Sequence, residues 1–362
     1  TTSTTTNNEA KEETVDTPDN DIKNPIVKEF DRICFNYGDE DAIVICGPDK
    51  QDDENDNKKG DGQQQPQPSS SSSTSSHCYY EIQEHSKNLA NQLYYRMGRP
   101  HFVLVDCRGW PCAEAVATLA CMRIGRPFVP VSATDLHRPG RMESVVQLLL
   151  NQQRQQDQKS QSDDDDDEAE GDQVKPMMIR LAAVVVCRDP DRDPILGVFQ
   201  QAGVHRILAL DKTGMLLDCL NVPDSLPDPL FDPDDDNDSR DYMYVLFTSG
   251  TTADPNSTVG PKAVVGSHRA TWRRIQWFLT NFVSSPRVGR RTMLTFVDGI
   301  TELWGCLLDP DSVLVGVPPS RLQRNGITSL IHDAKCSQLL LLPSQLHQLF
   351  LFVTNKNSDD YT

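Results

Sequence analysis

The residues best equipped for chemistry lie between Thr248 and Lys262. Five small residues, Thr248, Ser249, Gly250, Thr251 and Thr252, follow the apolar run Tyr244–Phe247, and Gly260-Pro261-Lys262 leads into a second apolar run at Ala263. Consecutive hydroxyls and backbone N–H groups on such a loop can hydrogen-bond phosphate oxygens. Gly250 lets the backbone approach a ligand closely, and Lys262 adds a compact positive charge. The loop is not of the Walker type, because no Gly-Lys-Ser/Thr follows and no helix begins at its end. Kinase signatures are absent too. Asp232, Asp234 and Asp236 do not open a calcium loop, since Asn237 stands at its sixth position and Met243 at its twelfth.

Tyr244 to Thr252, followed by Gly260-Pro261-Lys262-Ala263-Val264, resembles the phosphate-loop signature of the adenylate-forming superfamily. That superfamily comprises acyl-CoA synthetases, nonribosomal-peptide adenylation domains and luciferases. Further stretches resemble its motifs in order and spacing. These are Tyr79 to Ile82 with Leu89, Ala90, Asn91 and Leu93; Met122 to Val131; Arg138-Pro139 with Arg141; His268-Arg269; Phe296 to Leu308; and Leu341 to Ser344. The similarity covers roughly residues 25–353 outside three polar inserts. The arrangement of motifs, including Phe296 to Gly305, most resembles the branch containing the β-alanine-activating, aminoadipate-semialdehyde-dehydrogenase-like enzymes.

The resemblance implies ATP-dependent activation of a carboxylic or amino acid as an acyl-adenylate, then transfer to a CoA or phosphopantetheine thiol. ATP and Mg²⁺ are the implied cofactors, and a downstream carrier-protein domain is an implied partner. Thr248, Ser249, Gly250, Thr251, Thr252 and Gly260 would cradle the ATP phosphates, Thr252 would also lie near Mg²⁺, and Lys262 would neutralise the leaving pyrophosphate. Phe296, Val297, Asp298, Thr301 and Glu302 would line the substrate pocket. A gapless match from Glu302 puts Val297 where amino-acid-activating members carry the Asp that holds the α-ammonium, which favours an acid without an α-amine. A slip of one residue restores Asp298 as that anchor.

Three departures from the family pattern bear on activity. Ala253 replaces a Gly, with about six extra residues before Gly260, so either the glycine has shifted and 254–259 bulge outward, or the loop is broken. Ala263 replaces the Gly after the lysine. The chain also stops before the family's adenine-contacting and ribose-binding motifs and its late catalytic lysine. It reads as an N-terminal, ATP-phosphate-binding portion, inactive alone. The competing reading is a catalytically inactive, truncated relative acting as an interaction protein.

The elements that must position these groups alternate. Helices are expected at 26–36, 80–95, 112–124, 139–150, 194–202, 269–283, 300–308, 321–333 and 344–353. Strands are expected at 42–46, 101–107, 128–131, 179–187, 205–210, 243–247, 263–265, 291–296, 312–317 and 338–342. Short, continuously apolar strands between helices predict an α/β fold of stacked βα subdomains with mainly parallel sheets. Trp304, Trp272, Trp277 and Phe278 fall at helical spacing and read as core.

Segments 51–77, 151–175 and 224–241 carry most of the formal charge of −18. Rich in Asp, Gln, Ser and Pro, they read as disordered surface inserts, because they bury too little apolar area to offset ordering entropy. Residues 1–24 read as a disordered tail and 354–362 as a truncated end, around a partial AMP-binding domain at 25–353. The acidity argues against nucleic-acid partners. No apolar run reaches the ~20 residues of a membrane span, and no leader pattern precedes the first helix. The ten cysteines lack C-x-x-C spacing and read as reduced, buried thiols of a cytoplasmic protein.

Overall fold

The computed structural model describes residues 24–46, 74–162, 180–187, 189–190, 193–220, 241–248, 261–282, 286–318, 327–347 and 349–351, of which 152–162 as backbone only. The first sheet is built on β1 (Asp41–Cys46), β10 (Arg287–Gly289), β11 (Val313–Gly316) and β12 (Gln338–Leu339), all parallel, with β2 (Thr74–Cys78) antiparallel at its edge. The second contains β3 (Phe102–Asp106), β4 (Phe128–Val131), β5 (Leu181–Val186), β6 (Arg206–Leu210) and β8 (Tyr242–Phe247), in the order β6-β5-β3-β4-β8 and all parallel. Antiparallel strands β7 (Leu216–Leu220) and β9 (Ala263–Ser267) close its two edges. The expected mainly parallel α/β fold is what forms.

Alternation along the strands explains how the layers stack. Val103 and Val105 point into one core, whereas Phe102 and Leu104 point into another. On the first sheet Ile43 and Leu314 join the core of Val103, and Val44 and Val315 face away. The two sheets therefore share one apolar layer. It is filled by α1 (Pro25–Tyr37), α2 (Tyr79–Asn91), α3 (Pro111–Arg123), α7 (His268–Asn281) and α8 (Val297–Leu307). Helices α5 (Arg141–Ser162) and α6 (Pro194–Gln201) cover the outer face of the second sheet.

Several boundaries differ from expectation for physical reasons. α5 runs to Ser162 rather than ending near 150. Its tail, mostly Gln with Arg154 and Lys159, lacks Gly, Pro and β-branched residues, so an anchored helix propagates through it. Strand β2 forms inside the expected first insert, and β7 was not expected; both are edge strands held by backbone pairing. A short helix, α4 (Ala133–His137), forms because Ser132 and Asp135 cap it reciprocally. The expected strand at 291–296 is instead a turn, with the strand at 287–289. The Glu302 carboxylate takes the N–H groups of Arg291 and Thr292, leaving them unavailable to a ladder.

Trp304 is core as expected, edge-on to Phe30 at 6.0 Å. Trp272 packs against the same core from a half-buried position. Trp277 does not: it is 57% exposed and meets the Phe282 ring at 5.6 Å. The expected second and third inserts beyond Ser162 and over 224–240 lie outside the described residues, as do 1–23 and 352–362.

Candidate functional site

Strand β8 ends at Phe247, on the side of the sheet where the parallel strands finish. Its register is set by pairing with β4 and by Tyr244, whose ring lies 5.9 Å from that of Phe128. Gly266 on β9 is what lets Tyr244 lie across the return strand, since a Cβ there would sit 2.0 Å from the tyrosine ring.

Where the hairpin opens, the N–H of Thr248 donates to the carbonyl of Lys262 at 3.0 Å. That bond brings together the two ends of the predicted phosphate loop. Thr248 and Lys262 are both exposed at this neck. Ser249, Gly250, Thr251, Thr252 and Gly260 lie outside the described residues. The guanidinium of Arg141 sits behind the neck, 8% exposed. Its Nη2 donates to the Thr248 carbonyl at 3.2 Å and its Nε to Asp135 Oδ1 at 3.0 Å. Sequence reasoning noticed Arg141 but missed Asp135, whose signal was the Ser-x-x-Asp pattern directly after β4.

β9 runs straight into α7, whose first turn is organised by two side chains. Ser267 Oγ accepts the N–H of Ala270 at 3.1 Å, and the Asp241 carboxylate accepts the N–H of Arg269 at 3.3 Å. An anion and a hydroxyl at a helix N-terminus satisfy groups that otherwise lack partners. His268 is buried between these elements, 4% exposed, and burial pushes its imidazole down to about 4 despite nearby Asp241.

α7 then carries Arg274 to the start of α8, which holds the predicted pocket residues. Arg274 Nε donates to Thr301 Oγ1 at 2.8 Å, and its Nη2 pairs with Asp298. Arg274 and Asp298 are each about half exposed. Phe296 is exposed, whereas Val297 packs against the central core. Gly299 allows the tight turn before α8: a Cβ there would lie 2.1 Å from the Met293 carbonyl oxygen.

Glu302 is placed differently from its predicted neighbours. It is 2% exposed, and its Oε1 accepts from Arg290 at 2.8 Å, Arg291 N at 2.7 Å and Thr292 N at 2.9 Å. Arg290 also reaches Glu114 Oε2 at 2.7 Å, and the two carboxylates hold the guanidinium charged although burial opposes it. The structure thus brings Thr248 and Lys262 together at one neck, and Asp298 and Thr301 on one helical turn. Glu302 is committed to the turn that precedes its own helix.

All ten cysteines are free thiols. Burial pushes Cys187 up to about 11 and Cys34 up to about 12, so neither is a nucleophile near neutral pH. Among the described residues no group of three or more His, Cys, Asp or Glu could hold a metal ion, and no helix is long and apolar enough to cross a membrane.

The sequence pattern of the AMP-binding enzyme family matches residues 61–361. The β-alanyl-bioamine nonribosomal peptide synthetase ebony of Drosophila melanogaster is 31% identical over 112 residues, which is 30% of this chain and 12% of that protein. Tyrocidine synthase 3 of Brevibacillus parabrevis is 28% identical over 108 residues, 29% of this chain and 2% of that protein. The chain thus spans a small part of these relatives. Among solved structures, CmiS6 superposes with a TM-score of 0.52 at 16% identity, covering 91% of this chain and 61% of that one. A nonribosomal peptide synthetase, FmoA3, bound to α-methyl-L-serine-AMP gives 0.53 at 17% identity, covering 90% and 27%. At these identities the superpositions speak for the fold.

Proposed function

The chain belongs to the AMP-binding enzyme family, and from that premise we propose that it contributes the phosphate-binding portion of an AMP-forming acid–thiol ligase. One observation carries the reading. The hairpin neck joins Thr248 to Lys262 at 3.0 Å, so a run of hydroxyls and a lysine belong to one loop at the end of a parallel strand. Hydroxyls and a primary ammonium form a donor set that fits phosphate oxygens.

In the reaction a carboxylate oxygen of the acid attacks the α-phosphorus of ATP. The new P–O bond forms as the bond to the β-phosphate oxygen breaks, and pyrophosphate leaves. Thr248, Ser249, Gly250, Thr251, Thr252 and Gly260 hold the β- and γ-phosphates, and Lys262 offsets the charge growing on pyrophosphate. Such transfer depends chiefly on positioning and on charge stabilisation. Mg²⁺, which Thr252 would help to hold, would supply further neutralisation of the phosphates. A CoA or phosphopantetheine thiol, on a carrier-protein domain in the second case, then attacks the acyl carbonyl and releases AMP.

On the substrate side, Asp298, which pairs with Arg274, is the carboxylate that we assign to an ammonium group, and the relative named for β-alanyl-bioamine synthesis supports β-alanine as the first acid to try. The test is carboxylate-dependent ATP–pyrophosphate exchange on the full-length protein, with β-alanine, α-amino acids and fatty acids compared. Exchange with one class, abolished in Lys262→Ala while the unfolding midpoint stays put, supports the reading. Absence of exchange with every acid overturns it in favour of an inactive relative.

A further inference from the structure

We propose that Arg141 is a positioning residue for Lys262, acting through the Thr248 peptide. The role of Lys262 rests on the phosphate-loop reading above; the mechanical link does not. Four contacts form a continuous chain. Ser132 donates from its N–H to Asp135 Oδ2 at 3.1 Å and from its Oγ at 2.6 Å. Asp135 uses its other oxygen for Arg141 Nε at 3.0 Å. Arg141 Nη2 then reaches the Thr248 carbonyl at 3.2 Å, and the Thr248 N–H reaches the Lys262 carbonyl at 3.0 Å.

The consequence is geometric. The peptide groups on both sides of Thr248 are held, one through the N–H that donates to the Lys262 carbonyl just before β9 and the other through the carbonyl that accepts from Arg141 at the start of α5. Fixing both holds the Thr248 backbone in one orientation at the end of β8, and with it the Lys262 carbonyl across the neck. Arg141 suits this because its guanidinium is planar and can fork between a carboxylate and a carbonyl from one fixed position. Asp135 in turn is held by the cap of α4. Arg141 contacts a main-chain oxygen, so its action on any ligand is indirect.

The charge accounting also matters. The buried guanidinium is balanced by Asp135, so the pair adds little net field at a mouth proposed to receive a polyanion. Removing only Arg141 leaves the Asp135 carboxylate uncompensated there. An R141Q change therefore acts in two ways, and D135N/R141Q separates them by removing both charges.

The experiment measures hydrogen exchange of the Thr248 amide in the full-length protein without nucleotide, with the Val245 and Leu246 amides as internal controls. Losing a hydrogen bond from a charged donor corresponds to about tenfold or more, so Thr248 exchange is expected to rise about tenfold in R141Q while the controls stay unchanged. R141K keeps the charge but not the fork, and is expected to behave like R141Q. D135N should fall between them and wild type, and D135N/R141Q should add nothing beyond R141Q. K262A, which keeps its backbone carbonyl, should leave the exchange rate unchanged. Should R141Q not fold, R141K carries the test. Unchanged Thr248 exchange in a folded Arg141 variant overturns the proposal.

Mg·ATP titration then tests the consequence. Binding should weaken about tenfold in R141Q, with partial recovery in D135N/R141Q and no change in KM for the acid. A wild-type protein that binds no ATP sinks the phosphate-loop reading, whereas the exchange rates still decide whether Arg141 holds the neck.

Discussion

Two arginines in this protein are tied to carboxylates behind turns that matter, and they are used in opposite ways. Arg290 is sealed between Glu114 and Glu302, and Glu302 spends its remaining lone pairs on two backbone N–H groups and the Thr292 hydroxyl. Arg141 has one carboxylate partner, and its other contact is the backbone carbonyl at the mouth of an exposed neck. The first arrangement joins α3, the strand end at 290 and α8 across the shared core. The second leaves hydroxyl and ammonium groups facing outward. The difference separates a charge cluster that holds the fold together from one proposed to present chemistry.

The comparison breaks most visibly at Glu302. Removing one member of a buried, fully hydrogen-bonded cluster strands the opposite charge, which costs about 3–5 kcal/mol. Glu302→Ala is therefore expected to lower the unfolding free energy by that much in urea titration, and Arg290→Met to do similar damage. Arg141→Lys, which keeps a charge beside Asp135, should cost clearly less. Equal losses at both sites would erase the distinction.

Next in size is a pH effect at His268. Its folded-state value of about 4 lies below the ordinary histidine range, so the fold prefers the neutral ring. The unfolded chain then takes up the proton first as pH falls. Stability is full above about pH 6.5, declines as pH drops towards 4 and levels off below, for a total of roughly 3 kcal/mol. The ring's Nδ1 is buried without a hydrogen-bond partner among the described residues, which is consistent with an environment that rejects the cation. Unfolding titrations at pH 7.5 and 5 should show the loss in wild type, and His268→Asn should remove about that share of it. A variant with the wild-type pH slope would move the effect to another group.

What could be read from the sequence divides along the same line. Most of the parallel strands were legible because they are continuous apolar runs between helical patterns, β10 (Arg-Val-Gly) being the exception, and the neck was legible because Thr248 and Lys262 flank a stretch rich in small residues between a parallel strand and its antiparallel return strand. Arg290 was not singled out: a polar residue just before an expected strand looks like surface, and nothing local announces carboxylates 176 and 12 residues away. Glu302 was noticed for its motif, yet its carboxylate turns back to the 290–292 turn. The strand expected at 291–296 was lost to the same contact. Edge strands β2 and β7 escaped because backbone pairing, rather than an apolar alternation, holds them in place.

The smallest effect sharpens the comparison from the exposed side. Arg274 and Asp298 form an ion pair like those of the core, but each side chain is about half exposed. Exposed pairs contribute about 0–1 kcal/mol, because water screens them and two long side chains lose freedom. Arg274→Gln should accordingly leave the unfolding midpoint almost unchanged. Its effect should appear in substrate choice, since it frees the Asp298 carboxylate for an ammonium group. In the exchange assay the ratio of β-alanine to propionate activation should rise in Arg274→Gln and fall in Asp298→Asn, with KM for ATP constant. If the ratio stays fixed in both variants while exchange itself persists, Asp298 is not the ammonium anchor, and the gapless alignment that puts Val297 at the anchor position gains ground. A pair worth little to the fold can then still decide which acid is accepted, whereas the buried pair at Glu302 has no freedom to do so.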